Sequence, residues 1–418
     1  MESLSVSETV LPSGLRLVEM PVSGRLATAI AILFPAGARH ERPTEVGAAH
    51  LLEHLAFKGT DRHPSAASLN RATEYLGTEL AGASTVDYVE FSTFVRAESA
   101  MAAAHLLAEV VTTPRLAADD LEAERAVILQ EIADDADDPG SRAHDLLLGA
   151  LFAGHRLATD VAGEADDVRA LTHAGVLAFR DDHWSPGGGL AVVGGNLDHI
   201  DRAQLIDLLA RIPDRPAAPA PPEPPPFAPR ALLDRRDGTA VHLCLAYPVP
   251  GLDCARRSER ARAEVFSQLL GGPMGSRLYD ELREQSALCY WVSAGISDYD
   301  GAAILFISCS VNPADVEEAY ERIDAILADL KAHGPGEEEA RRLRAYASGA
   351  VALEFESVNT RVDHAIELIM EHADHEVDPI LVLREIEAVT RSGLAELAAA
   401  IELTPCVGCA GPTDATIF

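Results

Sequence analysis

Apolar residues near the N-terminus fall into short blocks separated by turn formers. Residues 9–11 and 15–20 flank Pro12-Ser13-Gly14, and residues 27–34 form an apolar run. This pattern predicts a hairpin followed by a buried central strand. Residues 48–58 are helix formers with neither proline nor internal glycine, which predicts a helix. A second helix is expected over 65–76, strands over 79–88 and 89–95, and helices over 97–111 and 118–134. Residues 140–182 continue helical, and 188–195 read as a buried strand ending in a turn.

Residues 213–229 break the pattern. They hold nine of the 25 prolines, the composition of a semi-rigid polyproline-type linker. Beyond them the order of elements recurs. A strand is expected over 239–249, and a helix over 256–270 stands in the place of the helix at 48–58. Residues 293–300 leading into 303–309 parallel 81–88 leading into 89–95. Helices over 313–333, 336–357 and 358–372 follow. The expected organisation is an N-terminal domain over 1–212, a linker over 213–230 and a homologous C-terminal domain over 231–418. The fold class expected is α+β: two similar α/β-sandwich halves, each a mostly antiparallel sheet with helices on one side.

Composition narrows the function classes. The chain has 418 residues, 48% of them hydrophobic and 24% charged, which suits a globular protein of two or more domains. A net charge of −32 argues against nucleic acid or an anionic membrane as partner. Only Lys58 and Lys331 are lysines. The first eleven residues lack a basic, apolar secretory pattern, and no apolar run reaches the ~20 residues of a membrane span. A cytoplasmic location is therefore expected. The cysteines (Cys244, Cys254, Cys289, Cys309, Cys406, Cys409) sit mostly in apolar runs, as buried reduced thiols do. Cys406-Val407-Gly408-Cys409 has CxxC spacing, but no second pair or nearby histidine completes a metal knuckle, so a terminal strand and turn is the expectation.

The candidate chemistry lies in the predicted helix at 48–58. Its His50-Leu51-Leu52-Glu53-His54 places two imidazoles at i and i+4, on one face, with a carboxylate beside them. Two imidazoles and a nearby carboxylate suit a catalytic zinc site, and H-x-x-E-H is a zinc-peptidase motif. The motif alone is a hypothesis and needs a third ligand. On the helix expected at 118–134, Glu124 and Glu131 are seven residues apart and share a face. Glu131 is the candidate third ligand, leaving a position for water. Glu124 is the candidate for orienting a histidine or water from behind. The competing reading of both is a solvated acidic face.

Taken together, these residues resemble the inverzincin peptidases of family M16, which includes pitrilysin, insulin-degrading enzyme and mitochondrial processing peptidase, in the short two-domain form. Phe57-Lys58-Gly59-Thr60 and residues 124–132 are further family-like runs, and the resemblance covers nearly the whole chain. It implies a zinc metalloendopeptidase with one Zn2+ per chain held by His50, His54 and Glu131, and with Glu53 as general base. Residues 276–279 and 282–290 resemble the family's substrate-side motif, which implies that Arg283 and Tyr290 bind the scissile region and that Tyr290 helps to stabilise the oxyanion. The edge strand around Ala81, Gly82 and Ala83 is expected to pair with substrate. Ala81 stands where the family usually has asparagine, which puts substrate positioning in question. The resemblance also implies dimers enclosing a chamber, with Arg283 and Tyr290 coming from the partner chain. A homodimer is one form, and a heterodimer with an inactive relative another. A non-catalytic or slow peptide-binding subunit is the rival reading.

Overall fold

The structure, a computed structural model, describes residues 6–215, 220–299 and 301–413. Residues 216–219 of the proline run, the first five residues used in the N-terminal reading, and Asp300 of the repeat lie outside the described residues.

The chain forms two compact units, each built on one sheet. In the first, the strands are β1 (Ser7–Val10), β2 (Arg16–Pro21), β3 (Ala27–Phe34), β4 (Leu80–Ser84), β5 (Val89–Arg96) and β6 (Leu190–Gly195). Their spatial order is β1-β2-β6-β3-β5-β4. In the second, β7 (Ala231–Arg235), β8 (Val241–Pro248), β9 (Cys289–Tyr299), β10 (Ala302–Val311) and β11 (Cys406–Gly411) lie in the order β7-β11-β8-β10-β9.

Without β1 the two sheets have one topology. The β2/β6 and β7/β11 pairs are parallel, and every other pairing is antiparallel. The repeat read from residues 81–95 and 293–309 corresponds to the hairpins β4–β5 and β9–β10. The helix after β3 (Ala48–Ala56) likewise corresponds to the helix after β8 (Arg257–Gly271). The expected α+β class with two similar halves is observed.

The units are not two uninterrupted halves of the chain, and this corrects the simple division at the linker. The first comprises 1–132, 160–222 and 354–379; the second comprises 133–159, 223–353 and 380–418. The helix Pro139–Leu151 thus belongs to the second unit and Val358–His372 to the first. Each covers the sheet face opposite the main helical layer. In the first unit Leu190 and Val192 of β6 pack with Val358, Val362 and Ile366, while Ala191 and Val193 face the larger core on the other side. A strand covered on both faces has no polar side, which is why β6 and β11 are buried along their whole length.

Close packing of these helices requires glycine in the strand beneath. A Cβ on Gly408 would lie 2.1 Å from the Ala143 carbonyl oxygen, and one on Gly194 would lie 2.6 Å from Val362 Cγ2. Cys406 and Cys409, three apart on β11, point to opposite faces, so they cannot share a disulfide or a metal. All six cysteines are buried and free. No helix among the described residues is long and apolar enough to cross a membrane.

Candidate metal centre

The histidine helix starts at Ala48 and ends at Ala56, with Leu51, Leu52 and Leu55 buried in the core below it. Phe57 at its end lies 5.7 Å from the Phe91 ring, which meets Trp184 edge-on at 5.1 Å. Trp184 in turn stacks on Phe34 at 5.5 Å. The N-terminus of the helix is held by Glu41, a buried residue from the loop that reads as merely polar in sequence. Its carboxylate accepts the Gly47 N–H at 3.0 Å and the Ala49 N–H at 2.8 Å. A carboxylate at this end satisfies orphan donors and complements the helix dipole. The apolar face and this anchor fix where His50 and His54 point.

The partner helix runs from Ala118 to Asp137. Arg125 pins it by donating to the carbonyls of Val168 and of Leu171, the latter at 2.7 Å. Glu124 and Glu131 then face the histidines, as their spacing predicts. His50 Nε2 lies 3.2 Å from Glu131 Oε2, and His54 Nε2 lies 3.9 Å from the same oxygen. The ligand atoms of His50, His54 and Glu131 all fall within 4.8 Å of one another. Ligand atoms in a tetrahedral zinc site with bonds of about 2.0–2.1 Å stand roughly 3.3 Å apart, so this donor set fits zinc in type and spacing.

Glu124 sits behind His54, with Oε2 3.2 Å from Nδ1. Its other oxygen pairs with Lys58 Nζ. Glu53 lies between the imidazoles, 4.0 Å from His50 Nδ1 and 3.9 Å from His54 Nε2. Its carboxyl is pushed up to about 7, mainly by burial; the Glu131 and Glu124 carboxylates add to the rise and His54 opposes it. Burial and the neighbouring His54 push His50 below its ordinary value, against the pull of Glu131 and Asp160, which favours the neutral ligand form.

The edge strand β4 crosses directly over Glu53. A Cβ on Gly82 would lie 1.9 Å from Glu53 Oε1 and 2.6 Å from Phe57 Cε2, so Gly82 leaves the room that the carboxyl occupies. Ala81 and Ala83 are exposed on either side of it, and β4 pairs with β5 alone in the sheet. Its outer edge can therefore accept another strand.

Arg283 and Tyr290 meet each other in the second unit. The guanidinium carbon of Arg283 lies 5.1 Å from the Tyr290 ring centre and 4.8 Å from that of Tyr279, within cation–π range of both. Arg283 sits in a widened helical turn, Asp280–Gln285, and Ala287 follows with φ of 51°, a conformation uncommon for alanine. Tyr290 is 83% exposed at the start of the edge strand β9. Tyr279 closes the 276–279 run of the substrate-side motif, and its i−4 spacing from Arg283 brings the two side chains together.

Residues 23–165 match the family profile described as insulinase, peptidase family M16, and residues 170–346 the one described as peptidase M16 inactive domain. An uncharacterized zinc protease of Streptomyces coelicolor is 30% identical over 365 residues, covering 84% of this chain and 78% of that protein. The chain belongs to peptidase family M16. An uncharacterized zinc protease of Bacillus subtilis is 26% identical over 337 residues, covering 80% of this chain and 81% of its own length. Among solved structures, the peptidase M16 inactive domain from Pseudomonas fluorescens superposes with a TM-score of 0.89 at 20% identity over 99% of both chains. A protease from Helicobacter pylori does so with 0.87 at 18% identity, covering 98% of this chain and all of that one. These two establish the M16 fold and nothing finer.

Proposed function

We propose that this M16 protein is a zinc-dependent metalloendopeptidase acting on peptides or unfolded polypeptides. The observation that carries the reading is the convergence of His50, His54 and Glu131 on one point, with Glu53 at its edge beneath a free strand. Zinc held by those three side chains supplies Lewis acidity toward water and the scissile carbonyl. Glu53 takes the proton of the attacking water and returns it to the leaving amine, a role suited to a carboxylate placed between the two imidazoles. The outer edge of β4 pairs with an extended substrate through backbone N–H and C=O groups, which Ala81 retains. Arg283 and Tyr290, supplied by a partner chain in a chambered dimer, hold the scissile region. A cytoplasmic setting, with neither nucleic acid nor membrane as partner, completes the proposal.

The rival reading, a non-catalytic or slow peptide-binding subunit of a heterodimer, draws on the words "inactive domain" and on Ala81. The match carrying that description covers 170–346, whereas the histidines, Glu53 and Glu131 lie in the match over 23–165. That division favours the enzyme. The wild-type protein is expected to bind a single zinc equivalent per chain and to cleave a quenched fluorescent peptide, and His50→Ala to lose both. Wild-type protein that takes up no zinc from buffered solution would overturn the reading.

A further inference from the structure

The two histidines are not held alike. His50 presents Nε2 to Glu131, and its Nδ1 is 4.0 Å from Glu53, beyond hydrogen-bonding distance. His54 is engaged at the other nitrogen: Glu124 lies 3.2 Å from Nδ1, while Glu131 and Glu53 are each 3.9 Å from Nε2, beyond that distance. The Glu124 side chain is only 6% exposed, and its second oxygen is taken by Lys58. A chain of contacts therefore runs from a cation at the end of the histidine helix, through a buried carboxylate on another helix, back to a histidine of the first.

We infer that Lys58 is a positioning residue for metal capture, acting through Glu124 to set the tautomer and orientation of His54. This rests on the proposed zinc site and extends it. Imidazole Nε2 can ligate only when the ring proton is on Nδ1, and a carboxylate accepting from Nδ1–H selects that tautomer. Glu124 can do so reliably only if its Oε2 stays turned towards His54 Nδ1. The Lys58 ammonium holds Oε1 and leaves Oε2 for the ring. Without it the buried carboxylate loses its cation and its fixed rotamer, and the His54 proton is free to move to Nε2. His50, with no such contact, is oriented by its packing and by Glu131.

The test uses full-length protein, with chelator-competition zinc affinity and histidine 15N shifts of the metal-free form at pH 8 as readouts. Lys58→Met is expected to weaken zinc binding about 10- to 100-fold, the range for outer-shell partners. It is also expected to populate the Nε2–H tautomer of His54. Lys58→Arg should restore most of the affinity, and thermal unfolding should confirm that each variant is folded. In a Glu124→Gln background, Lys58→Met should change the affinity no further, because the route through the carboxylate is already cut. Wild-type affinity and tautomer in Lys58→Met, or equal losses with and without Glu124, would overturn the inference. If wild-type protein bound no zinc, the zinc reading would fail by itself; the tautomer shift would still decide the role of Lys58.

Discussion

Glu53 shows how burial and charge compete at one residue. Its carboxyl, ordinarily near 4.5, is raised to about 7 because the fold removes it from water and sets two other carboxylates nearby. The fold thus favours protonated Glu53, and its contribution to stability is lost as pH rises from about 4.5 through about 7. The loss is at most about 3 kcal/mol, 1.36 kcal/mol for each pH unit of the rise. In metal-free protein, Glu53→Gln should therefore match wild type near pH 4.5 and become more stable by up to that amount at pH 8. Thermal or urea unfolding in chelator checks this, and a pH-independent difference would contradict it. Zinc, a nearby cation that favours the carboxylate, should narrow the gap at pH 8.

At the scale of elements, the architecture depends on helices crossing strands at glycine. Gly408→Ala places a Cβ against the backbone of the Pro139–Leu151 helix and should cost about 3 kcal/mol by overpacking. Gly295→Ala on β9, where nothing lies within 4 Å, should cost less than about 1 kcal/mol. Urea midpoints of the two variants measure the contrast, and equal effects would count against it. Most of the long helices were legible in sequence, and so was the i, i+7 pair Glu124 and Glu131, because periodicity reports which face is buried. The stretch 140–182, read as continuously helical, instead breaks into Pro139–Leu151, Ala165–Ala170 and His173–His183, and Arg202–Leu209, Pro379–Ala388 and Arg391–Ala400 were not read. Periodicity does not report what that face is buried against. The exchange of Pro139–Leu151 and Val358–His372 between units was therefore invisible. Glu41 and Lys58 were hidden for a related reason: a charged residue in a loop or at a helix end reads as solvated until a partner distant in sequence is placed beside it.

At the scale of the molecule, a duplicated unit carries the His50–His54 pair in one copy and the Arg283–Tyr290 pair in the other. A chambered dimer uses both if one chain's zinc site is completed by the other chain's second unit. Mixing Glu53→Gln with Arg283→Ala chains should then restore up to about a quarter of wild-type activity, because one dimer site in four in a random mixture is intact. No recovery, from chains shown to exchange and dimerise, would contradict supply in trans. The proposed chemistry itself needs only His50, His54 and Glu131 to hold zinc and Glu53 to move the proton. The most direct measurement is zinc content and peptide hydrolysis in Glu53→Gln beside wild type. Wild-type zinc content with hydrolysis reduced at least about 100-fold is the expected outcome. Hydrolysis at the wild-type rate by zinc-loaded Glu53→Gln would contradict it.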